Sequence, residues 1–248
     1  MGENPSPALV RTHQWPMIQS KWDARIDRAQ KLENEYPVAA ELLRFYRKIA
    51  AFQKSAGPDD LEKLLVLVRR EGPPVAAEAA RIIQSDNALQ DAVLKGDTVN
   101  PLHAFFWRVL RQPYAERAAA GEKPPSNVTR NTCPFCGERP IAAVLRPEGD
   151  GGKRCLLCSL CFTEWEFRRL LCPNCGEEDH QKLPIYKADE FPHLRAEACD
   201  SCAHYIKAVD LTLNGLAIPE VDELAAIPLD LWAGEQGYVK LQTNIIGL

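Results

Sequence analysis

All nine cysteines of this 248-residue chain fall between Cys133 and Cys202. Eight of them form four C-x-x-C units: Cys133 and Cys136 in "CPFC", Cys158 and Cys161 in "CSLC", Cys172 and Cys175 in "CPNC", Cys199 and Cys202 in "CDSC". The ninth is Cys155, in "RCLLCSLCF", where Cys155, Cys158 and Cys161 follow one another at intervals of three. Two overlapping units therefore share Cys158. A C-x-x-C unit folds as a tight turn that aims both sulfurs at one point, about 2.3 Å from a bound metal. Its backbone N–H groups also favour the thiolate. Gly137 and Gly176, just after their second cysteines, supply the positive φ that such a turn often needs. Two turns complete a tetrahedron of four sulfurs. Zn(II) and Fe(II/III) accept that ligand set and geometry equally.

The spacing of the units carries further information. Cys136 to Cys158 encloses 21 residues, Cys161 to Cys172 encloses 10, and Cys175 to Cys199 encloses 23. "TCPFCGERPIAAV" resembles "LCPNCGEEDHQKLPIY" at an offset of 39 residues, and the second units lie at an offset of 41. An internal repeat of this kind predicts two successive sites: Cys133, Cys136, Cys158 and Cys161 in one, Cys172, Cys175, Cys199 and Cys202 in the other. A nested arrangement, with the two inner units on one metal and the two outer on another, separates each unit from its repeat partner. Pairing Cys155 with Cys158 would instead strand Cys161. Cys155 is thus expected in the core, as a small apolar side chain, with a spare thiolate as the sharper option. A closed four-sulfur site leaves no position for substrate, and its usual role is structural.

The remaining polar residues offer no second chemistry. There is no Ser/His/Asp set, phosphate-binding loop or paired-carboxylate signature. His204 would be a redundant ligand beside four sulfurs. His13, His103, His180 and His193 have no paired spacing and read as surface or packing residues. Trp165 alternates with Phe167 on an expected strand and reads as core. Arg168 and Arg169 read as solvated, and Asp200 and Ser201 as shapers of a turn.

These cysteines lie in a chain of ordinary soluble composition, 46% hydrophobic and 26% charged. No run approaches the length of a membrane span. The segment "MGENPSPALVRTHQWPM" lacks a basic stretch followed by an apolar core, which predicts no secretory signal and a cytoplasmic protein. In a reducing compartment, strict C-x-x-C spacing points to metal rather than disulfides. Residues 1–130 carry 19 Lys+Arg against 16 Asp+Glu, whereas residues 131–248 carry 11 against 18. An acidic metal region disfavours nucleic acid, which needs a basic face.

Stepping outward from the cysteines, residues 18–120 read as helical. The first helix covers 18–35, after a loose segment holding Pro5, Pro7 and Pro16. The second opens at Pro37 and runs to Ser55. Leu61, Leu64, Leu65 and Val68 mark a third. A fourth covers 74–94, with Ile82, Ile83, Leu89 and Val93 inward. Asn100 and Pro101 open a fifth, whose apolar face is Leu102, Phe105, Phe106, Val109 and Leu110. Gly121–Asn127 reads as a linker. Short strands follow, then two short helices after Pro219 and Pro228, the second ending near Gly237. This tail is expected to pack on the metal region.

"CPFCGERP", "CSLCFTEWEF", "CPNCG" and "CDSCAHYIK", together with "VDELAAIPLDLWAGEQGY", resemble the formate dehydrogenase accessory proteins of the FdhE type over residues 130–240. The resemblance implies an α+β fold: an N-terminal helical domain (1–126), two rubredoxin-like or zinc-ribbon modules (127–168 and 169–248), and a C-terminal tail with short helices. It implies a non-enzymatic factor that assists assembly or activation of a molybdenum- or tungsten-dependent formate dehydrogenase, contacting its catalytic subunit in the cytoplasm. It implies neither nucleic-acid binding nor membrane insertion. Carried over residue by residue, the ligands of two Zn(II) or Fe(II/III) ions are the eight cysteines of the four units. A nucleic-acid-binding zinc ribbon and a thiol or iron redox protein are the competing readings.

Overall fold

A computed structural model of the chain describes residues 7–96, 99–124, 130–149 and 151–247; side chains at 7–20, 101, 102 and 151 lie outside that description. Six helices come first: α1 Pro7–Glu35, α2 Ala40–Ser55 after a single 3-10 turn at Pro37–Ala39, α3 Leu61–Glu71, α4 Pro74–Ser85, α5 Asn87–Lys95 and α6 Pro101–Ala119. Strands β1 Pro140–Glu148, β2 Gly151–Cys158, β3 Glu164–Glu166, β4 Ile185–Lys187, β5 Leu194–Cys199 and β6 His204–Asp210 follow. Helices α7 Pro219–Ala225 and α8 Ile227–Glu235 precede the two-residue strand β7 Val239–Lys240. Among the described residues, no helix is long and apolar enough to cross a membrane.

The helical half departs from the sequence reading at three places. Helix α1 starts at Pro7, inside the segment expected to be loose; proline is tolerated in a first turn, where its missing N–H costs nothing. The expected fourth helix is two. Asp86 sits at φ −136°, and its carboxylate accepts from Ala88 N at 2.8 Å, capping a new helix where continuous apolar spacing hid the break. Ile82 is 52% exposed, because α4 buries the side that carries Ala79, Ala80 and Ile83; Val93 of α5 is buried too. On α6, Phe105, Phe106, Val109 and Leu110 are buried as expected; Leu102 lies outside the described side chains. The expected linker runs into 125–129, also outside them.

Pro113 lies inside α6 and leaves the carbonyl of Val109 without its helical donor. The buried Gln53 of α2 fills that vacancy, donating from Nε2 to Val109 O at 2.9 Å.

The six strands β1–β6 and the short β7 form one sheet in the order β3-β2-β1-β6-β5-β4, with β7 on β6. Each cysteine repeat contributes three strands, and every neighbour within a repeat is antiparallel. The seam between repeats, β1 on β6, is parallel, from Ala142↔Lys207 to Leu145↔Asp210. Two up-down-up modules laid head to tail require this, since the first strand of one meets the last strand of the next in the same direction. Strand β7 fills the rest of the β6 edge at His204 and Tyr205.

Both faces of the seam are buried. Ala142 and Val144 join a core that continues through α7 into the helical half, while Ala143 and Leu145 face a second core with Trp165 and Phe167. This is the period-two alternation of a strand covered on both sides.

Charged side chains tie the tail to both halves. Arg25 of α1 is 3% exposed and clamps Glu116 of α6 at 2.8 and 3.0 Å and Glu220 of α7 at 2.6 Å. Asp222 accepts from Arg28 and meets His193 Nε2 at 2.8 Å. Lys207 of β6, fully buried, donates to Glu223 O at 2.6 Å and Asp230 Oδ2 at 2.5 Å. Tyr205 OH donates to the same Asp230 at 2.7 Å.

Arg25→Ala leaves the buried Glu116 and the half-buried Glu220 without their shared cation, and is expected to cost about 3 kcal/mol in urea unfolding. Burial opposes ionisation of Asp222, but Arg28 and His193 outweigh it and hold its carboxyl below the ordinary range. That contribution is present above the unfolded value of about 3.9 and is lost as pH falls through the folded value. Wild type should therefore lose stability more steeply than Asp222→Asn below about pH 4, as read by melting temperature against pH.

Candidate metal centres

Each repeat gathers its own four sulfurs. Those of Cys133, Cys136, Cys158 and Cys161 lie within 4.8 Å of one another, and so do those of Cys172, Cys175, Cys199 and Cys202. The grouping is sequential, not nested. Individual separations are 3.5 Å for Cys133–Cys161, 3.3 Å for Cys136–Cys158, 3.7 Å for Cys172–Cys202 and 3.6 Å for Cys175–Cys199. A tetrahedron with metal–sulfur bonds of about 2.3 Å has edges of about 3.8 Å. The eight side chains thus fit two tetrahedral metal ions.

The turns that bring the sulfurs together are repeated. Gly137 N donates to Cys133 O at 3.0 Å and Gly176 N to Cys172 O at 3.1 Å. Cys133 N donates to Glu138 O at 2.8 Å and Cys172 N to Glu177 O at 2.9 Å. Backbone N–H groups also approach sulfur: Leu160 N is 3.4 Å from Cys158 Sγ, and Asn174 N is 3.4 Å from Cys172 Sγ. All four units are followed by a residue at positive φ: Gly137 at 79°, Gly176 at 79°, Phe162 at 54° and Ala203 at 52°. For Phe162 and Ala203 that conformation costs about 1–2 kcal/mol each.

Crowded thiols cannot all ionise without a compensating cation. In the first cluster the hydrogen bond from Cys136 drives the acidity of Cys133 strongly up, while Cys133 in turn pushes Cys136 and Cys158 the other way. In the second, burial opposes ionisation of Cys202, but Asn174 and the backbone at His204 help hold it down at about 7. A divalent or trivalent ion removes the conflict by accepting all four as thiolates.

The two clusters differ in what holds them. The first is braced by the helical half. Gln112 of α6 accepts from Gln53 at 2.9 Å and donates to Ser159 O, inside the second turn, at 2.9 Å. Phe162 lays its ring 4.4 Å from the Arg25 guanidinium, so its strained backbone presents an anchor to α1. The second cluster is braced by its own turns and the tail. Ser201 Oγ donates to Glu177 at 2.5 Å, and Tyr238 OH to Asp200 at 2.5 Å. Asp200 and Ser201 thus shape and dock the fourth turn. One cysteine of each cluster, Cys136 and Cys175, is exposed at equivalent positions.

Cys155 belongs to neither cluster. It lies on β2, paired with Val144 and Glu166, whereas β2 itself runs to Cys158. Three residues along a strand is an odd step, so Cys155 and Cys158 point to opposite faces of the sheet. Burial raises the Cys155 thiol above its ordinary value, which keeps it protonated. His204 is outside the cluster too, with Nδ1 2.7 Å from Cys202 O. Trp165 is buried and donates to Arg130 O at 2.8 Å. Arg168 pairs with Glu178. His193 is a buried packing residue. Sequence spacing did not point to Gln112 or Arg25. Phe162 was findable, since aligning the four turns puts it where the first and third have glycine.

Residues 132–169 match the family model described as "FdhE, central domain", and residues 170–246 match "FdhE, C-terminal domain". Over 191 residues the chain is 38% identical to the Protein FdhE homolog of Aquifex aeolicus, a span of 74% of this chain and 68% of that protein. This chain belongs to the FdhE family. It is 37% identical over 123 residues to the Protein FdhE homolog of Pseudomonas aeruginosa, covering 48% of this chain and 40% of that one. With Protein FdhE of Escherichia coli it is 31% identical over 150 residues, 56% of this chain and 46% of that one. These two matches thus span less than half of each relative. The crystal structure of the FdhE protein from Pseudomonas aeruginosa aligns with a TM-score of 0.69 at 25% identity, over 92% of this chain and 95% of that one. The FdhE fold here is α+β, with the helices N-terminal and both four-cysteine clusters downstream.

Cys161→Ser should remove one metal per chain, while Cys155→Ser leaves the metal content unchanged. Elemental analysis after anaerobic purification reads both, and the opposite pattern would move the site to the upstream unit.

Proposed function

We propose that this FdhE-family protein is a non-enzymatic, cytoplasmic accessory factor that assists assembly or activation of formate dehydrogenase by binding its catalytic subunit. In this reading Cys133, Cys136, Cys158 and Cys161 hold one metal, and Cys172, Cys175, Cys199 and Cys202 hold a second. Residues 1–126 form a helical body, and residues 127–168 and 169–248 carry one metal each. The observation that carries the reading is the closure of both clusters: four sulfurs fill each tetrahedron and leave no position at which a substrate could bind. Membership of the FdhE family supports formate dehydrogenase as the client of that scaffold. The metals supply folding free energy, on the order of 10 kcal/mol for a structural site of this kind, and fix the turns that shape the surface.

A second reading has one observation in its favour. Cys136 and Cys175 place one exposed residue of each cluster at the surface, as electron exchange through bound iron would need. A colourless protein holding zinc excludes it; a reversible visible spectrum supports it.

Immobilised catalytic subunit of a molybdenum- or tungsten-dependent formate dehydrogenase is expected to retain the metal-loaded protein under anaerobic conditions, with two metal ions per chain. Retention no greater than that of an unrelated protein of equal charge would rule out the client. One metal or none would rule out the paired-site scaffold.

A further inference from the structure

The head-to-tail sheet leaves one end unfinished. Strand β1, first in its repeat, is covered along its outer edge by β6. Strand β4 holds the same place in the second repeat, and it is the last strand of the sheet. The backbone parity of β4 is fixed by Ala198 N, which donates to Pro184 O at 2.9 Å. Pro184 and Tyr186 therefore face β5, and Ile185 and Lys187 direct their N–H and C=O groups outward. An open edge of this kind is a template for a further strand.

The two faces beside that edge are apolar. On one side a cleft of about 910 Å³ runs between β4, the α1–α2 corner and α8. Its walls include Tyr36, Phe191, Leu229 and Trp232, with Val38 68% exposed at the rim. Tyr36 stacks on Phe191 at 4.8 Å and Tyr186 lies 4.5 Å from Trp232, so the walls are built, not collapsed. On the other side Ile185 and Leu170 are 52% and 55% exposed beside Pro173 of the third turn. A strand added to β4 would send alternate side chains to the two faces.

Charge narrows the occupant. Glu35 and Glu190 line the cleft and form no ion pair among the described residues; Lys187 is the cation beside them. The balance is one negative charge, next to the aromatic faces of Tyr186 and Trp232, which favour a cation.

We infer that β4 is a docking edge for an extended, largely apolar segment of a partner protein carrying a basic residue, which adds as a further strand and fills the cleft against α8. Main-chain hydrogen bonds to Ile185 and Lys187 supply the affinity, and the cleft supplies the selection. The inference rests on the sheet edge and is independent of which client the protein serves.

The test uses the full-length, metal-loaded protein and a capped seven-residue peptide of alternating leucine and valine with one arginine. Amide hydrogen exchange at Ile185 and Lys187 should slow about tenfold on saturation. Replacing the peptide arginine by glutamate, or introducing Val38→Lys or Glu190→Lys, should each weaken binding about tenfold, with metal content unchanged. N-methylation of the peptide amides facing β4 should abolish it. Unchanged exchange at both residues at millimolar peptide overturns the proposal. So does protection that rises with protein concentration alone, which would assign the edge to a second copy of this chain.

Discussion

Four thiols do not gather within 4.8 Å unless the backbone compels them. Here the compulsion is a turn that must end at positive φ, and it occurs four times. Glycine meets that demand twice without strain. Phenylalanine and alanine meet it at a cost that the surrounding contacts have to offset. The rest of the cysteine half follows from this constraint. Each cluster needs two turns, each turn needs a hairpin or strand to carry it, and two such sets give the strands of one sheet.

The helical half then acts on one cluster more than the other. Gln53, Gln112 and Ser159 form a buried relay from α2 through α6 into the "CSLC" turn. Arg25 joins Phe162 to Glu116 and Glu220. A change in the helical body therefore reaches the first cluster through polar contacts in a dry interior, where loss of one partner leaves another uncompensated. The second cluster sits beyond that network, next to the open edge of the sheet.

Much of this was legible in the sequence where short-range chemistry decides. The repeat gave the sequential grouping of cysteines, because spacing within a turn is a local property. Pro219, Pro228 and Gly237 marked the tail helices for the same reason. What escaped was decided at a distance or by competition. The Asp86 cap divided a helix whose apolar spacing ran on unbroken, and small alanines rather than Ile82 line the buried side of α4. Buried charges such as Lys207 and Asp222 look like surface residues until their partners, far away in the chain, are in place. The parallel seam has no local signature, since nothing in β1 names β6 as its neighbour. The place of Cys155 was legible by contrast, since pairing it with Cys158 strands Cys161, and the structure buries it outside both clusters.

The parallel seam also sets an order of events during synthesis. Ala142 meets Lys207 and Leu145 meets Asp210, so β1 waits for some sixty residues of later chain before its outer edge is paired. All four cysteines of the first repeat have been made well before then. At elongation rates of about 5–20 residues per second, that interval lasts seconds. The four sulfurs of the first cluster can therefore gather while the sheet around them is still half built, with an apolar strand edge bare. The last strands to emerge complete the first module as well as their own, so a ribosome that stops early releases an open-edged fragment.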